Sequence, residues 1–246
     1  MFIININYNY KRFMKNLSLL FAFSLAFIFC VNAQENRSYY VQQNQNQSSE
    51  KEESDSKYLF IGGGFQGNVY MNDNARHDGD DHDVWKNPSL AGNLFVGKWF
   101  GPKIGARVVI EGGSMHPFFQ NESIMEHEKY ISGRIDLLFN ITNLFREYSP
   151  DRFYNLAPYI GIGGAYAFDV MDRNVNSKNY RSDINVGSFM FGGGLFNTFR
   201  LSDKISAYLD LGVNVVDAKF DGWKDDKSFN GIFSPAIGVV YKFGSK

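Results

Sequence analysis

The chain has 246 residues, a formal net charge of -1 and 17% aromatic residues. That length holds one or two domains, and the near-neutral balance argues against nucleic acid as a main partner, because no basic excess exists to neutralise phosphates. So many aromatics together with 24 glycines are unusual for a cytosolic enzyme but expected of an all-β membrane barrel, and the mean hydropathy of -0.29 fits one, since only alternate strand residues face lipid.

The N-terminus reads as a targeting segment. Met14, Lys15 and Asn16 precede the apolar run Leu17 to Val31, and Val31, Asn32 and Ala33 place small residues for cleavage before Gln34. Residues 1–33 are therefore expected to be a signal peptide, with Met14 as the true start. An anchor helix is the other reading, and the run is short for a span. The only cysteine, Cys30, lies inside this segment, and bulky Phe29 before it suits a lipid-attachment signal poorly. A mature chain without cysteine has no disulfide and no thiol catalysis. Residues 34–57, rich in Gln, Asn, Ser and Glu, bury too little apolar surface to order themselves and read as a disordered polar linker.

From Tyr58 onward the pattern is strand alternation in up-and-down pairs. The first strand, 58–70, sends Leu59, Ile61, Phe65 and Val69 to one face and Gln66 and Asn68 to the other. The second, 89–100, alternates least cleanly, and its faces stay unassigned. The third, 103–113, sets Ile104, Ala106, Val108 and Ile110 against Arg107, Val109 and Glu111. In the fourth, Ile131, Gly133, Ile135, Leu137, Phe139 and Ile141 oppose Tyr130, Ser132, Arg134, Asp136, Leu138 and Asn140. The fifth, about 159–168, has Ile160, Ile162, Tyr166 and Phe168 on one side and Tyr159 with small residues on the other. The sixth, 184–200, turns Phe189, Phe191, Leu195 and Phe199 outward. The seventh, 204–216, hides Tyr208, Asp210 and Asn214, and the eighth, 232–243, hides Ser234, Ala236, Gly238 and Lys242.

No helical pattern exists downstream to cover the greasy faces. Strands about ten residues long, apolar on one side and charged on the other, instead suit an all-β, eight-stranded antiparallel up-and-down transmembrane β-barrel over 58–246, with lipid outside and polar groups in the lumen. An even strand number closes without an unpaired edge. Gly101-Pro102 and Ser202-Asp203 make tight turns, whereas 71–88, 114–128, 169–183 and 217–231 are long and polar. Short turns belong in the periplasm, so both termini are expected there. The long 143–154 connection breaks that alternation.

The runs IDLLFNITNLF, SPDRFYNLAPYIGIGGAY, LFNTFRLSDKISAYLDLGVN and the closing IGVVYKF resemble the OmpA-like outer-membrane β-barrel family of the Bacteroides and Prevotella group. The resemblance spans roughly residues 57–246 and is strongest from Ile135 onward. It implies an integral bacterial outer-membrane barrel with a structural role in envelope integrity. The partners it implies are outer-membrane lipid and lipopolysaccharide, with the barrel-assembly machinery during insertion. Family members often carry a C-terminal peptidoglycan-binding domain. This sequence ends three residues after Phe243, so cell-wall anchoring is not carried over.

Three groups of residues are candidates for chemistry. His77, Asp78, Asp80, Asp81, His82 and Asp83 fall in the first long loop, but no late bidentate Glu follows for calcium and no defined His spacing exists for zinc, so a solvated acidic loop is the preferred reading. Ser114, His116, Glu122, Glu126, His127 and Glu128 lie near the loop ends of the third and fourth strands. Nothing fixes a nucleophile, base and orienting acid in mutual reach, so no catalytic residue, metal or cofactor is expected and the chain is read as no enzyme. The inward residues Arg107, Glu111, Arg134, Asp136 and Asp210 are different, because buried charges persist only when paired. They are expected to form a structural luminal charge network, with Arg107 level with Asp136 and Glu111 level with Arg134 across two neighbouring strands. An eight-stranded barrel is just wide enough for its own side chains, which favours a plug over a selectivity constriction. A surface adhesin or ligand-binding barrel stays open, with an extracellular ligand at the loops recognised through Phe118, Phe119, Tyr180, Phe220 and Trp223. A narrow small-solute pore also stays open.

Overall fold

The computed structural model describes residues 56–71, 88–116, 118–119, 124–125, 128–172, 181–221 and 229–243. The expected signal peptide and nearly all of the linker lie outside them. Eight long strands form the barrel: β1 (Leu59–Met71), β2 (Ser89–Trp99), β3 (Ile104–Met115), β6 (Glu128–Phe139), β7 (Tyr154–Asp172), β8 (Arg181–Arg200), β9 (Ile205–Asp217) and β10 (Phe229–Phe243). A separate two-stranded hairpin, β4 (Phe118–Phe119) with β5 (Ile124–Met125), sits in the connection between β3 and β6.

Each barrel strand pairs antiparallel with its neighbours, and β1 closes the ring by bonding β2 on one side and β10 on the other. Closure satisfies every strand edge, which is what allows a sheet to exist in hydrocarbon. Among the described residues no helix is long and apolar enough to cross a membrane.

The outward parity is apolar along a continuous register row. Ile61 pairs with Val96, Val96 with Val108, Val108 with Ile135, Ile135 with Ile162 and Ile162 with Phe191, and each of these side chains is 46–64% exposed. A belt of this kind greatly exceeds the apolar patches that soluble monomers present to water. Val69 and Phe233 share the outward parity and face each other across β1 and β10, yet both are buried.

The two ends of the barrel differ. At the turn end, Leu59 pairs with Phe243, so both ends of the barrel segment lie there together with the short β2–β3 and β8–β9 turns. The 143–154 connection, which breaks the short-turn pattern, is ordered at this end by a short helix, α1 (Ile141–Phe145), capped by Asn140 Oδ1 accepting from the Asn143 amide at 3.0 Å. Asn143 Nδ2 donates to the Pro102 carbonyl at 2.7 Å, and buried Arg152 donates to Asn143 Oδ1 and to the Glu147 carbonyl. Backbone amide and carbonyl groups that would otherwise be left orphaned are thus satisfied without a tight turn. At the loop end, β7 and β8 run to 19 and 20 residues, longer than the alternation suggested, and pair with each other as far as Asp172 and Arg181.

Candidate functional site: the luminal core

The inward side chains stack in three layers. Nearest the turn end is an aromatic layer built from Phe60, Phe95, Trp99, Tyr159, Phe196 and Tyr208, with Leu138 and Val240 between them. Phe95 is its hub, edge-on to Phe196 at 5.7 Å and to Tyr208 at 5.3 Å between centroids, the geometry that aromatic quadrupoles favour. Nearest the loop end is an apolar cap of Tyr70, Met115, Tyr130, Val170, Met190, Val216, Phe220 and Ile232. The polar layer sits between these two.

Asp136 is the centre of that layer. Its side chain is 0% exposed and accepts from both guanidiniums, Arg107 Nε at 2.8 Å and Arg134 Nε at 2.5 Å. Arg107 also reaches across the lumen to Asp210 Oδ2 at 2.7 Å, and Tyr159 donates to the other oxygen of Asp210 at 2.9 Å. Aromatic rings surround the Arg107 guanidinium, with Tyr159 at 4.4 Å, Phe196 at 4.6 Å and Phe95 at 5.3 Å. A planar, weakly hydrated cation is the one that tolerates such a setting. Arg134 donates to Asn214 as well.

Glu111 is held more loosely. The register pairs Arg107 with Asp136 but sets Glu111 opposite Ser132 and Arg134 opposite Val109, so the expected Glu111–Arg134 level is off by two residues. The contact survives at 3.5 Å only because the long Arg134 side chain spans the offset. From there the network runs toward the loop end through amides. Gln66 donates to Asn68 at 2.9 Å and to Glu111 at 3.5 Å, Asn93 donates to Gln66 at 3.2 Å, Tyr208 donates to Asn93 at 2.6 Å and Asn68 donates to the Tyr130 hydroxyl at 2.6 Å.

The space for these groups comes from glycines on the inward parity of β7 and β8. A Cβ on Gly161 would stand 2.0 Å from Asp136 Oδ1, and one on Gly192 would stand 2.7 Å from Arg134 Cδ. The small inward faces of β7 and β8 are therefore the clearance that the Asp136 carboxylate and the Arg134 side chain occupy. Reading by charge alone missed Tyr159, Tyr208, Gln66, Asn93 and Asn214. The available signal was that each is a hydrogen-bonding residue on the inward parity of a strand whose outward parity is apolar.

The other candidates fare differently. Ser114 lies on β3 and its hydroxyl donates to the Leu90 carbonyl at 3.4 Å. Glu128 is buried at the start of β6, and His116 follows β3. Glu122, Glu126, His127 and the acidic loop residues 77–83 lie outside the described residues. Of the aromatics put forward for ligand recognition, Phe220 is 0% exposed and belongs to the luminal cap. It is carried there by a 3-10 turn, Ala218–Asp221, and is not available to a ligand. Tyr180 and Trp223 lie outside the described residues, and for Phe118 and Phe119 only the backbone is described.

No family model matches the sequence. Outer membrane protein 40 of Porphyromonas gingivalis (strain ATCC BAA-308 / W83) is 27% identical over 232 residues, covering 94% of this chain and 58% of that protein. Outer membrane protein 41 of the same organism is 27% identical over 135 residues, covering 54% of this chain and 32% of that protein. The chain thus spans little more than half of the longer match. Among solved structures, Neisserial surface protein A superposes with a TM-score of 0.50 at 7% identity, over 75% of this chain and 97% of that one, a likeness of fold. With its closed eight-stranded ring, its apolar outer belt and relatives that are outer-membrane proteins, this chain is an integral outer-membrane β-barrel.

Proposed function

We propose that the chain is a plugged structural barrel of the bacterial outer membrane that contributes to envelope integrity, conducts no solute and catalyses no reaction. The observation that carries this reading is the filled lumen: Arg107, Arg134, Asp136, Asp210 and Glu111 engage one another between an aromatic layer and an apolar cap. A channel needs a continuous polar path, and two apolar layers interrupt it. The five charged residues thus act as mutual counter-ions that tie β3, β6 and β9 together across the interior. Outer-membrane lipid surrounds the belt, lipopolysaccharide faces the loop end, and the barrel-assembly machinery inserts the chain after residues 1–33 are removed.

In this reading the turn end, with both ends of the barrel segment, faces the periplasm. Cell-surface labelling tests the orientation and the location together. An epitope tag after Lys246 should be silent to antibody on intact cells and detected after outer-membrane permeabilisation, while the unheated protein runs faster on an SDS gel than the boiled one. Surface detection of the tag on intact cells would reverse the orientation, and identical mobility before and after boiling would remove the barrel.

A further inference from the structure

At the turn end, cations and exposed apolar side chains alternate around the outer rim. Lys98 occupies the lipid-facing parity of β2, next in register to Leu59, which in turn pairs with Phe243. Its ammonium stands 5.9 Å from the ring of exposed Phe100. Exposed Lys103 precedes exposed Ile104 in the β2–β3 turn, and exposed Lys204 precedes exposed Ile205 in the β8–β9 turn. Arg146 follows Leu144 and Phe145, which are 57% and 81% exposed on α1. The carboxylates of these turns are Glu147, Asp151 and Asp203, and Arg200 holds two of them, Asp151 at 2.9 Å and Asp203 at 2.5 Å. Charge at the rim is therefore biased to positive. The loop end is biased the other way in sequence, where the β1–β2 connection alone has Asp73, Asp78, Asp80, Asp81 and Asp83 against Arg76 and Lys86.

A lysine whose stem lies along apolar surface and whose ammonium sits at its edge is placed to meet a phosphate at the boundary between acyl chains and headgroups. Resting on the reading of the chain as a membrane barrel, we propose that the turn-end rim is a binding surface for the phosphates of anionic glycerophospholipids. Lys98, Lys103 and Lys204 supply the charge, while Leu59, Phe100, Ile104 and Ile205 supply the acyl contact.

The probe is a set of vesicles with equal phosphatidylglycerol and phosphatidylcholine of the same chain length, from which the folded full chain is extracted and its retained lipid counted by native mass spectrometry. Wild type should retain phosphatidylglycerol over phosphatidylcholine, and K98Q/K103Q/K204Q should reduce that preference about fivefold or more. The charge-preserving K98R/K103R/K204R should keep the preference, as should K129Q/K219Q at the loop end. Should the triple Gln variant fail to fold, K98Q alone carries the test, with a smaller loss expected. Equal retention of the two lipids by wild type, an unchanged preference in the Gln variant, loss of preference in the loop-end variant, or stronger retention of added lipid A would each overturn the proposal. The gel shift on boiling is read on the same samples, so an intact shift with no lipid preference removes the rim site and leaves the barrel standing.

Discussion

Replacing Asp136 by Asn is expected to cost the barrel about 3 to 5 kcal/mol of folding stability in lipid vesicles, the scale for removing one partner of a buried ion pair. Asp136 has no solvent exposure and accepts from both guanidiniums through both oxygens. Asn keeps the shape but offers one acceptor where two are used, so its amide N–H meets a guanidinium N–H in a place water does not reach. Gly161 Cα leaves no room for the side chain to turn away, since even a Cβ there would press on Asp136 Oδ1. Glu111→Gln is expected to cost less, about 1 kcal/mol, although it removes the same charge. Its contacts with Arg134 and Gln66 are both 3.5 Å, and the layer has three carboxylates for two guanidiniums. Urea unfolding followed by the heat-sensitive gel shift measures both. Equal small losses would mean that water screens the layer, and an open lumen would then be the better description.

Arginine at Ile135 should cost about 2 to 4 kcal/mol, whereas arginine at Ile104 should cost about 1 kcal/mol or less. Ile135 is 61% exposed in the middle of β6, flanked in register by Val108 and Ile162, so an arginine there has hydrocarbon on every side. Ile104 starts β3 at the turn end, beside Lys103, where a long side chain snorkels to the headgroups. The difference between the sites, rather than either value alone, separates lipid from an aqueous surface, because exposed positions in water tolerate arginine equally. Vesicle unfolding that ranked Ile104 at or above Ile135 would place the outer face somewhere other than a bilayer.

Much of this was legible in the residues because most strands put apolar side chains on one parity and charges or amides on the other. β3 and β6 are the clearest, with Arg107 and Asp136 on one wall and Val108 and Ile135 on the other, and they meet in the register that the connection between them suggests. β2 resisted assignment for a physical reason. Its inward residues Phe95 and Trp99 belong to the aromatic layer while its outward residues Leu94 and Val96 face lipid, so both faces are apolar and parity loses its contrast. The same layer takes in Tyr159, whose inward parity among glycines and alanines marked its face but not its place beside Arg107 and Asp210. The cap was hidden for another reason: Phe220 lies past the end of β9 in a polar stretch, and only the 3-10 turn brings it over the lumen. The Glu111–Arg134 offset of two residues is fixed by the ladder itself: an antiparallel register that sets Arg107 opposite Asp136 must set Glu111 opposite Ser132, so the two expected pairs are never level together.

Planar-bilayer conductance of the purified wild-type barrel tests the closed lumen most directly. With an aromatic layer, a cross-linked charge layer and an apolar cap in series, wild type should show no steady channel at any holding voltage the bilayer survives. Stable, ion-selective conductance that changes with Asp136→Asn or Glu111→Gln would contradict the plug and make the charge layer the selectivity filter of a pore.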